Sequence, residues 1–154
     1  MKRFTALLLI IITVFTALTL PAYASSAPEE DSSVIVMTID PRLNNGSYCD
    51  CTLSITSSGK ATVSVDYAGI SGVTTKVTST VYIEKKTLWL FWTRVDIGTT
   101  DDEWVDSSTN VSGRFSHSKQ LSSTGTYRAV FVVKMYGSGG ATDTIEKNIE
   151  KKYS

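Results

Sequence analysis

The sequence predicts an all-β protein: an antiparallel β-sandwich of about seven or eight short strands, following an N-terminal signal peptide. Three observations carry the fold class. Apolar and hydroxyl side chains alternate with period two in segment after segment, the pattern of strands that bury one face. Gly- and Ser-rich stretches at 57–60 and 137–140 punctuate those segments as turns. No stretch longer than about ten residues keeps the spacing of an amphipathic helix.

The chain opens with Lys2 and Arg3, continues in an uncharged run over 4–20, and is broken by Pro21 before Ala22-Tyr23-Ala24. Basic end, apolar middle and small residues two apart form the layout that a signal peptidase reads. The run is shorter than the ~20 residues of a membrane span, and it carries Thr5, Thr13, Thr16 and Thr19. Cleavage is expected between Ala24 and Ser25, which divides the chain into a signal peptide (1–24), a flexible leader (25–33) and a single β-sandwich domain (34–154). About 130 residues suffice for one core and are too few for two comfortable domains.

In the first strand of the strongest hairpin, Cys51, Leu53 and Ile55 alternate with Thr52, Ser54 and Thr56; in the second, Ala61, Val63, Val65 and Tyr67 alternate with Thr62, Ser64 and Asp66. Val77, Ser79, Val81 and Ile83 repeat the pattern. A strand is expected over 91–97; its start is ambiguous, because 88–92 (Leu-Trp-Leu-Phe-Trp) is apolar on both faces. A polar turn over 98–103 precedes a shorter strand marked by Val111, Gly113 and Phe115. Tyr127, Ala129, Phe131, Val133 and Met135 form the clearest inward face, and Val130 and Val132 on the other side predict a central strand. Ile145 and Ile149 suit a helix face or two inward strand positions. A strand is favoured, because the turn at 137–140 then closes a hairpin.

Gly125-Thr126-Tyr127 follows a loop and precedes the inward Ala129, the arrangement of a tyrosine corner, in which the phenol bonds back to the preceding loop. This gives the sandwich an immunoglobulin-like character, with Ala129 where antibody domains place a cysteine. The Cys-bearing strand and its Ser-Gly-Lys-Ala turn, Glu84-Lys85-Lys86 followed by Trp92-Thr93-Arg94-Val95, and Gly125-Thr126-Tyr127-Arg128 together resemble a family of small secreted Gram-positive bacterial proteins of unknown function. The resemblance implies export and a β-sandwich, and it implies no catalytic residues.

Chemistry-bearing constellations are sparse. Cys49 and Cys51 are the chain's two cysteines. Residues two apart on a strand stand ~6.6–6.8 Å apart, whereas a disulfide holds its Cβ atoms ~3.5–4.5 Å apart. Free thiols are therefore expected, with Cys51 in the core and Cys49 at the strand entrance; the alternative is a strained bridge, which would demand a bulge or turn at Asp50. Asp101, Asp102, Glu103 and Asp106 lack the Gly-punctuated loop of a calcium site. His117, the single histidine, has neither a nucleophile elbow nor partners for a zinc site. Trp89 and Trp92, in an aromatic group with Tyr82, Phe91 and Trp104, are core residues or a contact surface.

The full chain balances 15 basic against 15 acidic residues, and loss of Lys2 and Arg3 leaves 13 against 15, a net charge of −2. Neither nucleic acid nor, after cleavage, a membrane is expected as a partner on that balance. The sequence thus predicts a secreted, non-enzymatic binding or structural module without cofactors, facing an extracellular or cell-surface partner. A small secreted effector or toxin acting on neighbouring cells is the alternative.

Overall fold

The computed structural model describes residues 43–154 except Trp89. The expected cleavage site at Ala24 and Ser25, the leader 25–33 and the stretch 34–42 lie outside the described residues. Among the described residues there are eight strands and no helix: β1 (Gly46–Ile55), β2 (Lys60–Gly69), β3 (Thr74–Thr87), β4 (Phe91–Arg94), β5 (Trp104–Ser108), β6 (Ser112–Gln120), β7 (Gly125–Gly137) and β8 (Asp143–Tyr153).

The strands form two antiparallel sheets that pack as a β-sandwich. One has the order β1-β2-β6; the other has the order β4-β3-β7-β8, with β5 also paired to β3. One edge of β3 is shared: Val77–Val81 pairs with β5, and Glu84–Thr87 pairs with β4. The opposite edge pairs with β7 along nearly its whole length.

Period-two alternation places the core as expected. Cys51, Leu53, Val63, Val65, Val77, Val81 and Ile83 are buried between the sheets. From β7 the core takes Tyr127, Ala129, Phe131, Val133 and Met135, and from β8 Ile145 and Ile149. β7 lies between β3 and β8, so its central position is confirmed, although Val130 and Val132 on its outer face are only half-buried. β7 and β8 form the hairpin that the glycine-rich turn predicts, paired from Gly125 with Tyr153 to Met135 with Asp143, and 143–153 is a strand as expected. On the outer face of the three-stranded sheet, the Thr62 and Ser118 hydroxyls meet at 3.0 Å, as do those of Ser64 and Ser116.

Four boundaries differ from expectation. β4 ends at Arg94 rather than at 97, and the chain then runs irregularly to β5. β5 itself, Trp-Val-Asp-Ser-Ser, carries too little apolar alternation to stand out, because it pairs along one edge only. β6 reaches Gln120, well past Phe115. The segment before β4 is a turn rather than a strand: Leu88 and Leu90 are exposed, and Leu88 has a left-handed φ of 47°.

A polar knot ties the two sheets at the Thr74 end of the sandwich. The buried Asp143 carboxylate accepts the backbone N–H groups of Asn44, Asn45 and Gly46 at 2.8, 2.6 and 2.9 Å. Asn45, fully buried, donates from Nδ2 to the Ala141 carbonyl at 2.8 Å and accepts the Gly139 N–H at 3.1 Å. Its own carbonyl accepts the Ile70 N–H and the Thr74 hydroxyl. Gly139 is required here, since a Cβ would collide with the Asn44 carbonyl. At the opposite end the Tyr127 hydroxyl donates to the Ser123 carbonyl at 2.6 Å, the bond predicted for the tyrosine corner.

This packing sets the expected stability of three variants. Phe131 is 0 % exposed, and Phe131→Ala is expected to cost ~3–5 kcal/mol, read as a sharply lowered melting midpoint. Thr62→Ala, on the hydroxyl face, should stay within about 0.5 kcal/mol of the parent. Asp143→Ala leaves three backbone donors without their acceptor. At ~1–3 kcal/mol for each unsatisfied group that water does not reach, denaturant titration should show a loss on the order of 3 kcal/mol.

Candidate functional site

The sequence singled out an aromatic group, a pair of cysteines, a histidine and an acidic turn, and the fold separates them. Strand alternation puts Tyr82, Glu84 and Lys86 of β3 on the outer face of the five-stranded sheet. Trp92 and Arg94 of β4 stand opposite Lys86 and Glu84 there. Arg128 of β7 lies across from Glu84 on the other side, and Glu150 of β8 lies beyond Arg128. One row across four strands therefore reads Arg94, Glu84, Arg128, Glu150, with charges alternating in sign.

Both arginines are also stacked on aromatic rings. The Arg94 guanidinium sits 3.8 Å from the Tyr82 ring centroid, and that of Arg128 sits 4.3 Å from that of Trp92. Lys86 Nζ approaches the same indole at 5.5 Å. Arg128 Nε donates to Glu84 at 2.5 Å, and Arg94 Nη1 donates to the Asp101 carbonyl at 2.7 Å. Such cation–π contacts hold planar cations against rings on a surface where neither is fully desolvated. Trp92 is half-buried under its cations and belongs to neither the core nor an open stacking platform. Trp89 lies outside the described residues. Trp104 packs partly against the core at the β5 edge.

Beyond Trp92 the β3–β4 hairpin ends in an apolar tip. Leu88, Leu90 and Phe91 are 82 %, 78 % and 62 % exposed. The other exposed large apolar residues among those described are Tyr48, Ile70 and Val111, near the Gly69 end of the three-stranded sheet, and Val105 on β5, each less exposed than Leu88 and Leu90. Behind the tip, an open groove of about 460 Å³ is lined by Lys85, Arg94, Asp96, Lys119 and Tyr127, among others. Lys85 is held in it by a 2.7 Å bond to the Ser123 hydroxyl and by the Tyr127 ring at 5.7 Å. The tip was readable as an apolar run straddled by Lys85-Lys86 and Arg94. That Lys119 of β6 joins those cations was not, because β6 reaches them only through the packing of the two sheets.

His117 and the acids have structural partners. The imidazole Nε2 lies 2.8 Å from Asp106 Oδ2 and its ring stacks on Trp104 at 5.1 Å and 4°, linking β6 of one sheet to β5 of the other. Among the described residues no serine hydroxyl is hydrogen-bonded to this imidazole. Asp102 caps the Ile97 N–H, and Glu103 pairs with Arg94, so the acidic turn is spent on its own loop. No group of three or more His, Cys, Asp or Glu side chains among the described residues is placed to hold a metal ion.

Cys49 and Cys51 are both buried and free, facing inward two residues apart. Cys49 lies well inside β1, opposite Tyr67, which corrects its expected place at the strand entrance. A hydrogen bond to Cys49 and then burial push the Cys51 thiol far above its ordinary pKa, so that it stays protonated. Asp50 between them is buried, with Oδ1 unpartnered, and burial raises its carboxyl above the usual range. The bond between the two thiols lowers the Cys49 pKa while burial raises it, so for Cys49 it is burial that withholds the accessible thiolate a nucleophilic or redox cysteine needs.

Alkylation with iodoacetamide at pH 8 should therefore label neither cysteine in the folded protein and both after denaturation. Mass spectrometry checks this, and a two-dalton loss confined to a peptide carrying Cys49 and Cys51 would reveal a bridge instead.

Compared with known proteins, the chain matches no protein-family model, no curated protein and no solved structure.

Proposed function

We propose that this chain is an exported, non-enzymatic binding module, an immunoglobulin-like β-sandwich that meets a cell-surface partner with the β3–β4 end of its five-stranded sheet. The observation that carries this reading is the tip itself. Leu88, Leu90 and Phe91 face solvent together at the end of one hairpin, and a soluble domain keeps such clusters for contact surfaces. The N-terminal layout from Lys2 to Ala24 supports export with cleavage before Ser25. Resemblance to small secreted Gram-positive proteins supports the same compartment. Both thiols are buried, and among the described residues no serine hydroxyl is hydrogen-bonded to His117, which favours binding over catalysis.

The tip also favours the second reading, a small secreted effector acting on neighbouring cells, since an exposed apolar hairpin is one means of engaging another cell's envelope. The two differ in outcome: an effector arrests a sensitive strain and a binding module does not.

Expression of the full chain in a Gram-positive host should release a protein whose N-terminal sequence begins at Ser25. Labelled released protein should bind whole cells. The triple variant Leu88→Ser, Leu90→Ser, Phe91→Ser should bind at least ten-fold less, with an unchanged melting midpoint because those side chains are already solvated. Equal cell binding by parent and variant, or none by either, would overturn the assignment of this end as the contact surface.

A further inference from the structure

Resting on that reading, the geometry points to a partner: we infer that the β3–β4 hairpin is an interfacial anchor whose tip enters the outer layer of an anionic lipid bilayer while the cations behind it bind the headgroup phosphates. Three features of the hairpin lead to this occupant.

The first is depth. Leu88, Leu90 and Phe91 occupy the end of the hairpin, and Lys86 lies two residues behind Leu88 on β3. Phe91 pairs with Thr87, one strand residue or roughly 3 Å nearer the tip than Lys86, and the turn carrying Leu88 and Leu90 lies beyond that row. Interfacial segments bury their apolar side ~5–10 Å into the boundary of headgroups and acyl chains. A tip seated at that depth leaves Lys86 level with the phosphates.

The second is charge on both sides of the hairpin. Lys85 and Lys86 are neighbours on a strand, so they project from opposite faces. Lys86 stands on the outer face over Trp92, with Arg94 one row further from the tip. Lys85 stands on the groove side, where Lys119 of the other sheet joins it. Against these four cations stand Asp96 of the groove lining, Glu103, which pairs with Arg94, and Glu84 and Glu150 of the outer row, with Glu84 bonded to Arg128; Lys85, Lys86 and Lys119 have no carboxylate partner among the described residues. The net charge of −2 that argued against a membrane averages over the mature chain, whereas cations are gathered at this end. Juxtaposed basic residues gain locally from an anionic surface within a Debye length, whatever the total charge.

The third is area. Three side chains of this size offer on the order of 450 Å², taking ~150 Å² for each. A stable protein interface needs ~800 Å² from each partner, and the ground next to the tip is charged rather than apolar. A bilayer imposes no such minimum, because it closes around a protruding tip from every side.

The test uses the protein as the cell releases it and vesicles of defined composition. Sedimentation with phosphatidylglycerol–phosphatidylcholine vesicles (1:1) should carry down the parent, and pure phosphatidylcholine should carry down at least ten-fold less. The triple variant Leu88→Ser, Leu90→Ser, Phe91→Ser should lose binding to the anionic vesicles by at least ten-fold. Lys86→Gln with Lys119→Gln should weaken it about five-fold for each cation, and should flatten its fall with rising salt. Thermal melts of both variants, matched to the parent, exclude misfolding as the cause. Failure of the parent to sediment with anionic vesicles, or equal sedimentation of parent and tip variant, would overturn the inference. Should the parent bind cells through the tip yet ignore vesicles, its partner is a protein or glycan: the lipid inference falls and the binding-module reading stands.

Discussion

The three hydrogen bonds from Asp143 to the backbone at the start of β1 fix how the sandwich is assembled. β1 is the edge of one sheet and β8 the edge of the other, so one carboxylate at the head of β8 joins the two layers. Asn45 extends the joint to the β2–β3 and β7–β8 turns through its side chain and its carbonyl. A buried carboxylate with three N–H donors has its charge compensated, and the donors at the mouth of β1 have a partner that water cannot replace. With register locked at the Thr74 end, the β3–β4 hairpin at the far end is free to project. Its tip carries no part of the core.

The outer faces of the two sheets differ in chemistry. On the three-stranded sheet the face is a lattice of hydroxyls, with Thr62 against Ser118, Ser64 against Ser116 and Asp66 in a two-point bond with Arg114. The face of the five-stranded sheet carries stacked arginines and aromatic rings instead. Tyr82 and Trp92 are covered there by Arg94 and Arg128, and Glu84 sits between the two guanidinium groups. Large rings on a solvent face are kept from forming a sticky patch when planar cations lie over them. The apolar character of this end is thereby confined to Leu88, Leu90 and Phe91.

Much of the fold was legible because its signals are local. Side chains on a strand alternate by backbone geometry alone, so Val63 and Val65, or Phe131 and Val133, reveal their buried face to a reader of the sequence. Tyr127 two residues before Ala129, after a loop with Gly125, announced the corner whose bond to Ser123 closes the far end. Signals failed where a segment's neighbours decide its state. β5 has one paired edge and little apolar alternation, and only the vacant edge of β3 makes it a strand. Residues 88–92 read as a strand apolar on both faces because they are uniformly apolar, but the left-handed Leu88 turns the chain before β4.

The candidate site divides along the same line. By itself the sequence determined that Leu88, Leu90, Phe91 and Trp92 form an apolar run between Lys85-Lys86 and Arg94, and that Cys49 and Cys51 stand on the same side of a strand. Those are statements about neighbours in the chain, which a period of two settles. Only the tertiary structure decided that Trp92 lies beneath Arg128, that Lys119 joins Lys85 beside the hairpin, and that His117 closes on Asp106 across the sheets. Each of those contacts joins residues from separate strands. They depend on which edge each strand takes in its sheet and on how the two sheets stack, choices that cooperative burial of the shared core makes and that no local pattern encodes.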